Sequence, residues 1–205
     1  MNTYPFTTEV FVDYDVIIVD FDGTVVDSIE KKNSAFAEVF SVVAKGNSEV
    51  QRYINKTTHL SREERLMGLA TIIRKIEGGD VIEIANRFRA RLDVALASVY
   101  ESSIVSKALI DFLSSAHVFT AVSIISAAPQ IEIKAWIKSR QLESVFQSVT
   151  GAPSSKVKAF ANAIQEAQRG KSKVIYVGDT NYDFELAKRY GCDFMWSEFT
   201  HSNIG

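Results

Sequence analysis

The sequence predicts an α/β fold: a three-layer core with a parallel sheet between helices, into which a helical cap domain is inserted. Short, predominantly apolar runs rich in β-branched residues alternate with helical patterns, as is typical of strands buried on both faces. The segment between the first two runs is far longer than a crossover between parallel strands needs. It also contains no buried-strand pattern. We therefore predict a core domain of residues 1–27 and 105–205 and a helical cap domain of residues 28–104.

The core elements are identified by their residue patterns. Strands are predicted at residues 16–19, 118–125 and 174–177. A helix is predicted around residues 157–164, where apolar residues recur at helical spacing, and a second one from residue 180 to residue 190, where Gly191 ends it. The first dozen residues could form a flap, an edge strand or a tail.

The cap domain is predicted from three helical patterns. Phe36, Val39, Phe40 and Val43 form one amphipathic stripe. Residues 60–77 and 81–99 form two further helical stretches, which Gly78 and Gly79 separate.

Composition and charge limit the classes of protein that need to be considered. The 205-residue chain contains 46% hydrophobic and 23% charged residues, which is ordinary for a globular protein with a buried core. Its net charge of −2 gives no reason to expect nucleic acid or an anionic membrane as a partner. Cys192 is the one cysteine, so an internal disulfide and a cysteine-rich zinc site are excluded. We expect a cytoplasmic protein without a membrane span, a monomer or homodimer, that binds a small-molecule substrate.

Two acidic residues follow the first predicted strand. The segment Asp20-Phe21-Asp22-Gly23-Thr24 begins at its carboxyl end, where open α/β sheets bind their ligands. Asp20 and Asp22 should point to the same side, and carboxylates so close repel unless a cation or hydrogen-bond donors compensate. Gly23 would let backbone amides approach an anion closely. The alternative is an ordinary loop of acidic turn residues.

Further polar residues follow the other strands. Asp179, after the third strand, would complete a set of strand-end carboxylates suited to Mg²⁺. Asp183 fits a capping box with Thr180, so its own position favours a helix cap over a metal ligand. Lys156 opposes the dipole of its helix, a local conflict typical of functional sites, although an exposed lysine would also tolerate it. Ser126, after the second strand, could equally be a satisfied strand-end hydroxyl. Together Ser126 and Lys156 could bind a phosphate.

These segments, in this order, resemble the four motifs of the haloacid dehalogenase-like superfamily. The resemblance is to members with a small helical cap, such as phosphoglycolate phosphatases and β-phosphoglucomutases. Asp20 to Thr24 matches the first motif, Ser126 the second, Lys156 the third, and Gly178-Asp179 with Asp183 the fourth. Ala127 departs from the pattern, since many relatives have asparagine there. The resemblance implies a Rossmann-like core.

The resemblance also implies a catalytic mechanism. Asp20 would attack phosphorus and form an aspartyl-phosphate. Asp22 would protonate the leaving oxygen and then deprotonate the hydrolytic water. An acid at position 22 favours phosphoryl transfer over dehalogenation, which needs no such group.

Metal-binding and phosphate-binding roles are implied in the same way. Mg²⁺ would be bound by the side chains of Asp20 and Asp179 and the backbone carbonyl of Asp22, with Asp183 supporting the site directly or through water. The phosphoryl oxygens would be bound by Ser126, Lys156 and the backbone amides of Gly23 and Thr24.

The cap offers candidates for substrate specificity. His59, Arg62 and Arg65 lie in a segment that loosely resembles part of the cap of family hydrolases that accompany bacterial surface-sugar biosynthesis. The alternative is that Ser61 and Glu64 form a capping box and that the arginines are solvated.

The predicted function is a Mg²⁺-dependent phosphatase acting on a small phosphorylated metabolite, such as a sugar phosphate or phosphoglycolate. A phosphomutase of the β-phosphoglucomutase kind is the enzymatic alternative, since it shares the motifs and the cap type. From a different class, a receiver domain with a phosphorylated aspartate would have about 120 residues and no inserted cap. A non-catalytic binding protein would have no need of the full set of catalytic groups.

Overall fold

A computed structural model describes residues 1–44, 46–116 and 120–199 of the chain. They form two compact units. The core unit consists of Met1–Asp27 and Ile104–Gly205, and the cap unit of Ser28–Ser103. The second boundary lies one residue before the predicted one.

The chain starts with three strands of the core unit, continues through the helices of the inserted cap unit, and then alternates between strands and helices of the core unit. The strands are β1 (Thr3–Tyr4), β2 (Val16–Val19), β3 (Val26–Asp27), β4 (Ile104–Val105), β5 (Ala121–Pro129), β6 (Ser148–Ala152), β7 (Val174–Gly178) and β8 (Asp193–Trp196). The α-helices are α1 (Ile29–Ala44), α2 (Ser48–Lys56), α3 (Arg62–Glu77), α4 (Val81–Leu96), α5 (Val99–Ser102), α6 (Lys107–Ala116), α7 (Gln130–Ser139), α8 (Lys156–Arg169) and α9 (Asn181–Tyr190). A 3₁₀ helix spans Glu9–Asp13.

A six-stranded parallel sheet forms the middle of the core unit, in the order β1-β8-β7-β2-β5-β6. Ile18, Tyr176 and Phe194 share a buried apolar cluster with residues of α8 and α9. Since successive strand residues point to opposite faces, Ile17 and Val19 point to the other face, where they are fully buried. The predicted three-layer α/β fold is thereby confirmed.

Two predictions about core strands need comment. The strand predicted at residues 118–125 is observed from Ala121 to Pro129, while residues 118 and 119 lie outside the described part of the chain. Its pairing with β6 shifts register between Ile125 and Pro129, so Ser126 lies inside an irregular stretch of strand rather than after its end. The open question about the N-terminus is also answered: β1 is the edge strand that pairs with β8.

The cap unit is built from the helices α1 to α5. Its apolar interior includes Phe36 and Phe40 from α1 and Phe88 from α4. The predicted capping box is confirmed, because Ser61 and Glu64 exchange hydrogen bonds at the start of α3. Helix α3 ends at Glu77, and the next residue, Gly78, has a positive φ of 77° that allows the chain to turn away.

Within the described residues, no helix combines the length and the apolar character that a membrane crossing would require.

Candidate active site

The carboxylates predicted at strand ends meet at one edge of the sheet. Strand β2 lies between β5 and β7, and Val19 pairs with both Ile124 and Val177. Asp20 directly follows β2, and its amide donates to the carbonyl of Val177 at 2.9 Å. Asp179 directly follows β7. Asp20, Asp179 and Asp183 each contribute a carboxylate oxygen to a group whose members lie within 4.8 Å of one another.

The turn after β2 has a shape that depends on glycine. Gly23 has a φ of +73°, and a Cβ added to it would lie 2.2 Å from Oδ2 of Asp179. A side chain would therefore both strain the turn and displace the neighbouring carboxylate. The turn is also fixed from the end of β8: the Ser197 hydroxyl donates to the carbonyl of Gly23 at 2.6 Å, and the Ser197 amide donates to the carbonyl of Gly178 at 2.9 Å.

Lys156 is a buried cation between two buried carboxylates. Its ammonium donates to Oδ2 of Asp20 at 2.7 Å and to Oδ1 of Asp183 at 2.8 Å. Burial alone would lower the pKa of Lys156, but the charges of Asp183 and Asp20 raise it above its ordinary value. The exposed-lysine alternative is wrong, because only 8% of Lys156 is accessible to solvent.

The pKa values of the two carboxylates beside Lys156 are shifted in opposite directions. Burial raises the pKa of Asp20 to about 6, against the opposing charge of Lys156. For Asp183, Lys156 and hydrogen bonds from Thr180 and Tyr176 outweigh burial and lower the pKa. Asp183 also forms the predicted capping box with Thr180 at the start of α9.

Asp179 is a buried carboxylate whose charge the surrounding protein groups do not balance. Its Oδ1 is buried and has no hydrogen-bond partner among the described residues. Burial and the charges of Asp183 and Asp20 raise the pKa of Asp179 well above its ordinary value. A divalent cation would relieve both conditions, and oxygen-rich carboxylate sites suit Mg²⁺. The residues present therefore fit a magnesium ion.

The family is decided by comparison with known proteins. The model for haloacid dehalogenase-like hydrolases matches residues 17–197. The chain belongs to the haloacid dehalogenase-like hydrolase family. The matched region includes every residue of the acidic cluster, so the enzyme class predicted from the motifs is confirmed at the level of this family.

Solved structures of the haloacid dehalogenase-like fold agree in architecture. A Bacteroides fragilis protein assigned as a haloacid dehalogenase-like hydrolase has a TM-score of 0.68 and 18% identity, with 93% of this chain and 90% of that one covered. A Haemophilus somnus protein described as a predicted phosphoglycolate phosphatase has a TM-score of 0.69 and 13% identity, with 92% and 96% covered. YfnB from Bacillus subtilis, a hydrolase of this class solved with bound magnesium, has a TM-score of 0.59 and 14% identity, with 90% and 88% covered. No curated protein matches the chain.

The two backbone amides predicted to bind phosphate in this haloacid dehalogenase-like site lie in the turn after β2. The amide of Gly23 donates to the carbonyl of Val26 at 2.7 Å, and that of Thr24 donates to Phe21 at 3.4 Å. Both amides have backbone partners within the turn, and their role in binding phosphoryl oxygens stays a prediction. The short turn needs these hydrogen bonds because buried backbone groups must be paired.

The remaining predicted core residues are buried. Asp22 lies in the turn and forms an isolated bridge with Val26. The Thr24 side chain is fully buried. Ser126 is also buried, and its Oγ accepts a hydrogen bond from the amide of Ala128 at 3.2 Å.

The three specificity candidates differ in their surroundings within the cap unit. Arg65 is buried: its guanidinium donates to Oδ1 of Asn33 at 2.7 Å and to the carbonyl of Ile54 at 2.8 Å, and it lies 4.0 Å from the ring centroid of Phe36. Those contacts favour a packing role. Arg62 pairs with Asp93 at 3.1 Å, and His59 is partly buried in the turn before α3. The idea that both arginines are solvated is therefore wrong for Arg65.

Two contributors to the site were missed in the sequence. Ser197 offers no sequence signal, since its partners are distant along the chain. Tyr176 offers a weak one: it is the aromatic residue in an otherwise aliphatic strand, and its hydroxyl donates to Oδ1 of Asp183 at 2.6 Å.

Proposed function

We propose that this protein is a Mg²⁺-dependent phosphatase that hydrolyses a small phosphorylated metabolite through an aspartyl-phosphate on Asp20. The observation that carries the proposal is that both oxygens of the Asp20 carboxylate accept hydrogen bonds. Its Oδ1 accepts the amide of Phe21 at 2.7 Å, and its Oδ2 accepts the ammonium of Lys156 at 2.7 Å. A carboxylate fixed at both oxygens is oriented for attack on an electrophile at the sheet edge.

Asp20 and Asp22 supply the covalent and acid–base steps of this proposal. An oxygen of Asp20 bonds to phosphorus while the bond from phosphorus to the leaving oxygen breaks. Asp22 donates its proton to that leaving oxygen and then accepts a proton from the water that cleaves the aspartyl-phosphate. The nucleophile is thereby regenerated, and inorganic phosphate leaves.

Lys156 and Ser126 supply contacts to the phosphoryl oxygens. The ammonium of Lys156 already contacts the nucleophile, so a phosphoryl group on Asp20 would lie beside a fixed positive charge. Asp20, Asp179 and the backbone carbonyl of Asp22 would hold Mg²⁺, which supplies positive charge against the transferring group when bound. YfnB, a protein of the same fold, was solved with bound magnesium, which supports magnesium as the ion of this proposal.

The substrate class follows from the resemblance and from the relatives. We include phosphoglycolate because one similar structure is described as that of a predicted phosphoglycolate phosphatase, and sugar phosphates because the resemblance extends to β-phosphoglucomutases. Cytoplasmic location, a monomeric or homodimeric state and the absence of nucleic-acid and membrane partners belong to the same proposal.

The test is phosphate release from a panel of sugar phosphates, phosphoglycolate, nucleotides and an aryl phosphate, with Mg²⁺ and with EDTA. Asp20→Asn is compared with Asp13→Asn, a matched change at an exposed position of the same unit. We expect turnover that needs Mg²⁺, is lost in Asp20→Asn and is kept in Asp13→Asn. Turnover that survives in Asp20→Asn would refute the nucleophile. Activity only in the presence of a sugar bisphosphate would identify a phosphomutase instead.

A further inference from the structure

Each oxygen of the Asp183 carboxylate accepts two hydrogen bonds from protein donors. Oδ1 accepts the ammonium of Lys156 at 2.8 Å and the hydroxyl of Tyr176 at 2.6 Å. Oδ2 accepts the amide of Thr180 at 3.2 Å and the Thr180 hydroxyl. A carboxylate has about four acceptor positions, so Asp183 is saturated. Asp179, by contrast, has an oxygen, Oδ1, with no hydrogen-bond partner among the described residues.

Tyr176 is held so that its hydroxyl reaches only this carboxylate among the described hydrogen-bond partners. The residue is fully buried in the middle of β7. Its ring packs against Phe160 and Phe194, with centroid separations of 4.7 and 5.9 Å. A phenylalanine could make those ring contacts, so the hydroxyl is the part of Tyr176 that packing does not require.

We propose that Tyr176 is a positioning residue: its hydroxyl occupies Oδ1 of Asp183, so that the ammonium of Lys156 stays shared between Asp183 and Asp20. The proposal rests on the proposed function, because Lys156 matters there as a ligand of the phosphoryl group. It assigns Asp20 and Asp179 to the metal and Asp183 to the lysine.

The physical reason lies in how the ammonium is shared. Lys156 bridges Asp20 and Asp183 at nearly equal distances, 2.7 and 2.8 Å. The Tyr176 hydroxyl withdraws electron density from Oδ1 of Asp183 and so limits its attraction for the ammonium. Without the hydroxyl, an open acceptor position on a buried carboxylate would draw Lys156 away from Asp20, where the phosphoryl group is bound.

Tyr176→Phe tests this directly, because it removes the hydroxyl and keeps the ring. Tyr190→Phe is the matched control, since the Tyr190 ring packs on the same Phe160 with a centroid separation of 5.8 Å. Orthophosphate affinity in saturating Mg²⁺ and Mg²⁺ affinity in the absence of phosphate are measured by calorimetric titration. We expect orthophosphate to bind about tenfold more weakly to Tyr176→Phe, with the Mg²⁺ Kd within about twofold of wild type. The control should change neither.

Asp183→Asn is the second variant, to be used if Tyr176→Phe does not fold. In Asp183→Asn we expect orthophosphate affinity to fall more than Mg²⁺ affinity. An equal or larger loss of Mg²⁺ affinity in either variant would make Asp183 a direct ligand and overturn the proposal. Unchanged orthophosphate affinity in folded Tyr176→Phe would do the same.

A spectroscopic readout separates this proposal from the proposed function. The ¹⁵N-labelled ammonium of Lys156, assigned through its loss in Lys156→Arg, should show faster solvent exchange in Tyr176→Phe and not in Tyr190→Phe. This signal needs neither substrate nor turnover. If the wild-type protein never releases phosphate, the proposed phosphatase activity is refuted, but the ammonium signal still tests the positioning role of Tyr176. An unchanged ammonium signal in Tyr176→Phe would refute that positioning role.

Discussion

Replacing Gly178 by alanine should disturb the acidic cluster through a single methyl group. Gly178 is the last residue of β7 and precedes Asp179. A Cβ at this position would lie 2.6 Å from Cβ and 2.9 Å from Cγ of Asp183. Its φ lies outside the left-handed region, so the effect of alanine would be steric and would not come from backbone strain.

The magnitude follows from these distances. Ordinary carbon–carbon contacts are about 3.5–4.0 Å, so the backbone or Asp183 must move by about 1 Å. Hydrogen bonds to nitrogen donors span only about 2.7–3.2 Å, so such a movement would weaken at least one bond to the Asp183 carboxylate. Overpacking costs about 1–3 kcal/mol, and a hydrogen bond to a charged group contributes about 1.5–3 kcal/mol. We expect Gly178→Ala to lower the free energy of unfolding by about 3 kcal/mol.

Urea unfolding monitored by circular dichroism measures this effect. Gly170→Ala is the matched control in the same unit, because the nearest atom to its added Cβ is Oγ of Ser172 at an ordinary 3.4 Å. That control should stay within about 1 kcal/mol of wild type. If the free energies of unfolding of Gly178→Ala and Gly170→Ala differed by less than about 0.5 kcal/mol, the cluster would have space for the added methyl group, and the steric reasoning would be wrong.

Two further predictions concern metal binding and the cap unit. Burial raises the pKa of Asp20 to about 6 and that of Asp179 well above its ordinary value, so the metal-free folded state holds protons that the unfolded chain would release. The free energy of unfolding of the metal-free protein should therefore fall as the pH rises through the raised pKa values. Metal ligands must also be deprotonated, so the Tm gain from Mg²⁺ should be larger at about pH 8 than at about pH 5; equal gains in thermal scans would contradict this. In the cap unit, Arg65→Lys should lower unfolding stability by about 1–3 kcal/mol in urea titrations, because an ammonium cannot reproduce both hydrogen bonds and the stacking on Phe36. Unchanged stability with altered substrate preference would favour a specificity role for Arg65.

The sequence was sufficient for the parts of the fold that local patterns determine. Strands β2 and β7 are buried on both faces, and this requirement leaves an unbroken apolar run that can be read directly. Helix α9 has a capping box at one end and Gly191 in the left-handed region at the other. Strand β5 was harder to delimit, since its irregular pairing with β6 extends the strand through residues without an alternating pattern.

The sequence was a better guide to which residues form the site than to the hydrogen bonds between them. Motif positions placed Asp20, Lys156 and Asp179 on separate strand or helix ends, and the sheet topology brings such ends together. Which donor reaches which oxygen depends on side-chain packing between residues far apart in the chain. The Tyr176 hydroxyl and the Ser197 contacts are of this kind, and neither follows from periodicity, propensity or spacing.

The contacts of Ser197 also bear on the order in which the molecule can be completed during synthesis. Strand β1 is made first but pairs with β8, and Ser197 at the end of β8 fixes the turn that contains Gly23. Until the ribosome has released residues 193–197, a nascent chain would therefore have an unpaired β1, an exposed sheet edge at β7 and an unsupported turn. Until that moment an exposed edge would be open to other chains, which makes this interval the one in which a chaperone would be of most use.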